Sequence, residues 1–168
     1  FETSISRNRI GFDPGVEFTI PNGVGIQIEG GMRTVIEGNA IGGNDYGIQL
    51  NIGDATVRGN SIGVGHSGRA PAFPNGVGIR IGSGFSPSTI GGSSEADGNV
   101  IAYNTGDGLQ ALAGGQVIMV NRIFENGGHG VHIDSGRTSL PGAGLGTIIS
   151  ANSIYENEGL GIAIEHPD

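Results

Sequence analysis

The sequence predicts an all-β solenoid, a chain wound into about six coils of three short strands each, with loops inserted at the corners. Three observations carry that expectation. The pattern Asn-x-Ile occurs six times, at Asn8/Ile10, Asn39/Ile41, Asn60/Ile62, Asn99/Ile101, Asn121/Ile123 and Asn152/Ile154. After each copy comes a Gly and then an alternating apolar pair: Ile26/Ile28, Ile48/Leu50, Ile79/Ile81, Leu109/Ala111, Val131/Ile133 and Ile162/Ile164. And although 36% of the residues are hydrophobic, no stretch shows the spacing of an amphipathic helix.

Each repeat supplies three apolar segments in a fixed order. The first centres on an aliphatic residue three positions before the Asn: Ile5, Ile36, Val57, Ile118 and Ile149. In the remaining repeat Ile90 lies nine positions before Asn99, with GGSSEAD intervening. The second segment holds the Ile of Asn-x-Ile, and the third holds the alternating pair. Segments of two or three residues are too short for helices, and an Ile-x-Ile alternation puts both side chains on one face of a strand. The most compact repeats span 21 residues (Asn39 to Asn60) and 22 (Asn99 to Asn121), and the spacings of 31, 39 and 31 are the same unit enlarged by insertions. Coils stacked at the ordinary strand spacing would place like residues over one another and give a rod about 29 Å long.

The Asn residues are then expected at corners. There an Asn can tolerate a left-handed backbone and bond neighbouring peptide groups, and amides stacked coil upon coil can bond one another. A second series, Asn22, Asn44, Asn75, Asn104, Asn126 and Asn157, precedes the third segment in the same way. All seven Pro residues fall in insertions or the tail rather than in a proposed strand, as ladder hydrogen bonding requires.

Composition sets further bounds. The 168 residues make a single domain, residues 1–168. Gly, at 35 residues, is about three times its usual frequency of roughly 7%, but there is no Gly-X-Y period. All eight basic residues are Arg, set against 16 acids for a net charge of -8. That field repels polyanions, so no nucleic-acid partner is expected. Without Cys there is no disulfide framework and no thiolate metal site. No signal peptide or membrane span is present, and the chain starts at Phe1, which reads as a mature protein or a piece of a longer one.

These repeats resemble the right-handed parallel β-helix proteins, whose single-stranded coils carry three strands, as in the pectin-lyase-like fold. The stretches NRIGFDPGVEFTIPNGVGIQI, NSIGVGHSGRAPAFPNGVGIRI and STIGGSSEADGNVIAYNTGDGL look like the repeat arrays of large bacterial secreted or surface proteins, and NSIYENEGLGIAIE resembles a coil that closes such arrays. The resemblance covers essentially the whole chain. Leucine-rich repeats fit less well, since the columns here are dominated by Ile and no helical segment occurs. Left-handed β-helices repeat in hexapeptides, giving coils of about 18 residues, below the minimum here.

Candidate chemistry lies in the insertions. Coils one and three carry long loops at one corner, residues 11–24 and 63–77, while coil two crosses it with only GGNDY. Two walls about 10 Å apart over a low floor would suit a sugar chain. The floor would present Asn44, Asp45 and Tyr46, and the walls Asp13, Glu17, Phe18, His66 and Arg69. A second region, HGVHID, points His132 and Asp134 outward together, with His129 at the corner before them and Glu165 one coil away. It lacks a matched third ligand, so the sequence predicts no metal centre and no cofactor. The outward column Gln27, Gln49, Arg80, Gln110, His132 and Ala163 forms a polar stripe on which an extended glycan could lie.

The resemblance also brings in polysaccharide lyases, polygalacturonases and uronate epimerases, which use carboxylates with Arg or Lys in one cleft. This chain has no Lys, few outward carboxylates that stack on neighbouring coils, and only six coils. The expected function is therefore a noncatalytic structural or adhesive scaffold of a secreted or cell-surface protein, with a polysaccharide or surface glycan as its candidate partner. Polysaccharide-acting enzyme is the alternative. Because the first repeat opens directly on a strand and GIAIEHPD closes the last, the chain is expected to belong to a longer array or to stack head to tail into a fibre.

Overall fold

The computed structural model describes residues 2–13, 19–30, 32–51, 54–65, 72–82, 87–134 and 146–165. Six coils follow one another along the chain. Coil one comprises β1 (Thr3–Ser6), β2 (Arg9–Ile10) and β3 (Val24–Ile28), and coil two β4 (Met32–Glu37), β5 (Ala40–Ile41) and β6 (Tyr46–Leu50). Coil three comprises β7 (Asp54–Arg58), β8 (Ser61–Ile62) and β9 (Val77–Ile81), and coil four β10 (Thr89–Gly91), β11 (Val100–Ala102) and β12 (Leu109–Ala111). Coil five comprises β13 (Val117–Met119), β14 (Arg122–Phe124) and β15 (Val131–Asp134), and coil six β16 (Ile148–Ser150), β17 (Ser153–Tyr155) and β18 (Ile162–Glu165).

Strands of the same rank stack into three six-stranded sheets, ordered β1-β4-β7-β10-β13-β16, β2-β5-β8-β11-β14-β17 and β3-β6-β9-β12-β15-β18. Within these sheets every strand pairing is parallel, so the chain is a parallel β-helix. The aliphatic columns fall in register. In the first sheet Ile5, Ile36, Val57, Ile90, Ile118 and Ile149 stack in turn. The second sheet stacks Ile10, Ile41, Ile62, Ile101, Ile123 and Ile154. In the third, Ile26 and Ile28 begin two columns that end at Ile162 and Ile164. Together these columns fill the tube with a single apolar core, within which Ile36, Ile41, Ile62, Ile101 and Ile123 have no exposed surface.

Two amide ladders hold the corners. Each Asn directs both its backbone N–H and its Nδ2 to the Oδ1 of the Asn one coil further along. Asn39 reaches Asn60 at 3.0 Å through each nitrogen, and Asn99 reaches Asn121 at 3.1 and 2.8 Å. The second ladder repeats this from Asn22 through Asn44, Asn75, Asn104 and Asn126 to Asn157. The left-handed residue at these corners is not the Asn, as the sequence suggests, but its predecessor: Arg7, Val120 and Ala151 in the first ladder, and Tyr103, Glu125 and Glu156 in the second. The Asn spans that residue by donating to the carbonyl two positions back, as Asn121 does to Met119 and Asn126 to Phe124. The side chain thereby offsets the strain that an L-residue carries at positive φ.

GGSSEAD displaces Ile90 from Asn99 without breaking the coil. Glu95–Asp97 forms a short 3-10 turn, Ser94 donates its hydroxyl to Asp97 Oδ2 at 2.7 Å, and the Asp97 carbonyl accepts the Gly59 N–H of coil three at 2.9 Å. The Ser94 hydrogen bond holds the Asp97 carboxyl below the usual carboxylate range, aided by the nearby Arg58 guanidinium.

Removing a core rung should be expensive. Ile101→Ala, in the middle of the second sheet, is expected to lower stability by about 2–5 kcal/mol in chemical denaturation. Val120→Asn, which relieves a β-branched side chain at φ 60, is expected to raise it by about 1 kcal/mol.

Candidate functional site

The loops of coils one and three leave the barrel through matching necks, closed by antiparallel bridges between Phe12 and Thr19 and between Val64 and Ala72. Their bases meet across coil two. The Phe12 and Phe73 rings stack with centroids 4.3 Å apart and planes 10° from parallel, packed on Ala40. The gap of about 10 Å expected between the walls is therefore filled at its foot by two aromatic rings. Coil two can pass beneath only because it carries Gly42 and Gly43. A Cβ on Gly42 would lie 2.4 Å from the Phe73 carbonyl oxygen, and one on Gly43, which has φ +78, would lie 2.6 Å from Thr19.

The predicted floor residues separate. Asn44 faces inward as a buried rung of the second ladder, accepting from Asn22 and donating to Asn75 and the Gly42 carbonyl. It is a corner brace rather than a floor residue, because its amide is already fully engaged. Asp45 is exposed, as is Asp13 on the first wall. Tyr46 is half-buried and turns to the third sheet, where the Arg80 guanidinium lies 5.2 Å from its ring centroid and donates to its hydroxyl at 3.3 Å. Glu17, Phe18, His66 and Arg69 lie outside the described residues.

The outward column of the third sheet is continuous, with Gln27, Gln49, Arg80, Gln110, His132 and Ala163 in consecutive register. Its first coils are knit together by side chains, with Gln49 donating to Asn51 Oδ1 at 2.9 Å and Asn51 to Glu29 Oε1 at 2.8 Å. The Tyr46–Arg80 pair adds an aromatic face and a cation to this stripe. At its far end His132 is joined by His129 and by Asp107, a residue that the sequence reading missed. Register could have found it: Asp107 stands two places before Leu109 as His129 stands two before Val131, and those residues pair.

No helix among the described residues is long and apolar enough to cross a membrane. No protein-family model, no curated protein and no solved structure matches the chain.

The two neighbouring residues of the corner should respond differently to mutation. Asn44→Ala takes the side-chain donor away from the buried Gly42 carbonyl and Asn75 Oδ1 and is expected to cost about 1–3 kcal/mol. Asp45→Asn is expected to change stability by less than about 0.5 kcal/mol. Parallel urea titrations of the two variants check this.

Proposed function

We propose that the chain is a noncatalytic scaffold of a secreted or cell-surface protein, similar to the β-helical repeat arrays of bacterial surface proteins, that stacks end to end and presents its third sheet to glycans. The observation that carries the reading is the polarity of the end faces. Both amide ladders run one way, so at coil six the backbone N–H groups of Asn152 and Asn157 have no partner among the described residues, while at coil one no described donor reaches Oδ1 of Asn8 or Asn22. Donors at one end match acceptors at the other. The coil-six face is also apolar, with Ile148, Leu160, Ile162 and Ile164 all exposed, and β16, β17 and β18 each form a sheet edge. Such a face is a template for another parallel coil, supplied either by further repeats of a longer array or by a second copy of the chain with the same column spacing. Because the two faces differ, the contact is heterologous and propagates as an open fibre.

Light scattering and negative-stain microscopy over a concentration series test the stacking. Rods lengthening in steps of about 29 Å, six strand spacings, are expected, and Ile162→Asp should abolish them. A strictly monomeric species at high concentration overturns it. For the glycan surface, binding to uronate and neutral polysaccharides should weaken at least about tenfold in Arg80→Ala through loss of the cation at the centre of the stripe. The same polysaccharides should yield no unsaturated product or new reducing ends; turnover would favour the alternative of a polysaccharide-acting enzyme.

A further inference from the structure

We infer that the far end of the stripe is a binding site for a divalent transition-metal ion of the zinc class, with His132 and Glu165 as ligands, His129 as the third and Asp107 as the residue that orients His132. The inference is independent of the glycan and stacking readings. The His132 side chain is 14% exposed, and its Nε2 is buried without a hydrogen-bond partner. A buried polar atom left in that state calls for a physical reason, such as an ion at the site.

The neighbours of His132 supply that reason. Its Nδ1 lies 3.0 Å from Asp107 Oδ2, and the Asp107 carboxylate is itself pinned, because Oδ1 accepts the His129 backbone N–H at 2.7 Å. A neutral imidazole has a single N–H. With that proton on Nδ1, facing the carboxylate, Nε2 presents a bare lone pair. What it faces is another carboxylate: Glu165 Oε1, one coil further on, lies 3.5 Å away. Two electron-rich atoms are thus held face to face, one of them shut off from water, and a cation between them removes the conflict.

The spacing suits such an ion. Two donors on one tetrahedral centre, each bound at about 2.0–2.2 Å, lie roughly 3.3–3.6 Å apart. The carboxylate–histidine–metal arrangement, in which a second-shell carboxylate fixes the tautomer and aims the ring, is the role that Asp107 occupies here. His129 stands beside them: one donor atom each from Asp107, His129 and His132 lies within 4.8 Å of the other two, and the two rings stand edge to face with centroids 5.1 Å apart. His129 Nδ1 accepts the Leu160 N–H at 2.8 Å in an exposed position. On metal binding that bond is exchanged for one to water, which frees the ring to ligate. Two imidazoles and one carboxylate favour zinc-class ions over calcium, which takes six to eight oxygen donors. A net charge of -8 attracts cations to the surface.

Calorimetric titration of the chelator-dialysed protein with zinc chloride, in parallel with absorption spectra on adding cobalt(II), tests the site. One saturable site per chain and a tetrahedral cobalt spectrum are expected. His132→Gln should abolish both, and Asp107→Asn should weaken binding about tenfold to a hundredfold. Glu165→Gln alters an exposed side chain and keeps the test intact should His132→Gln fail to fold; at least a tenfold weakening is expected. Saturating zinc should also raise the melting temperature. No saturable uptake of either metal, uptake unchanged in Glu165→Gln, or binding of calcium in preference to zinc overturns the inference.

Discussion

Everything in this molecule depends on the stacked amide at the corner. A coil of strands two to six residues long cannot specify its own bends, since each strand ends soon after it begins. The Asn side chain does this by acting in two directions. Along the chain it closes the turn over a left-handed residue, as Asn121 does over Val120. Between coils it joins the next Asn through two donors. Local bend and stacking register are thus fixed by one side chain, which is why the aliphatic columns need only be apolar and of similar volume to fall into line.

The same geometry explains the glycine content. Where the third strand begins, Gly108 sits so close to the next coil that a Cβ would lie 2.8 Å from the Gly130 carbonyl oxygen and 2.9 Å from Asn126 Nδ2. Equivalent crowding occurs at Gly47 and Gly78. In coils one to five the backbone passes over the amide ladder with no room for a side chain, so Gly is required at this place. Its abundance reflects close approach between coils rather than flexibility. A sheet built this way has a flat outer face whose side chains recur at fixed spacing, and the Gln–Arg–His stripe on the third sheet is the result.

The coil plan was legible because its signals are periodic. Alternation within Ile26-Gln27-Ile28 and the recurrence of Asn-x-Ile locate strands and corners together, and even Ile90, displaced by its insertion, pairs with Val57 and Ile118 as its column requires. Features that occur once were not legible. Gln116 builds another braced corner, bonding the Gly114 carbonyl and accepting the Ser88 N–H, buried like the Asn rungs, but a Gln outside the Asn pattern gives no repeat to follow. The Phe12–Phe73 stack joins two loops whose sequences share no period. Asp107 and His129 are 22 residues apart and meet only through coil stacking, so a search for ligands within HGVHID could not find the carboxylate that completes the group.

The Phe12–Phe73 stack also changes how the rod comes apart. In a solenoid each coil ordinarily touches only its neighbours, so melting proceeds one repeat at a time from whichever end is weaker. Here a ring from coil one rests directly on a ring from coil three, passing over coil two. That is a second-neighbour coupling, and coil two cannot loosen without separating the rings above it. Coils one to three therefore form one cooperative block, which opens as a unit rather than coil by coil.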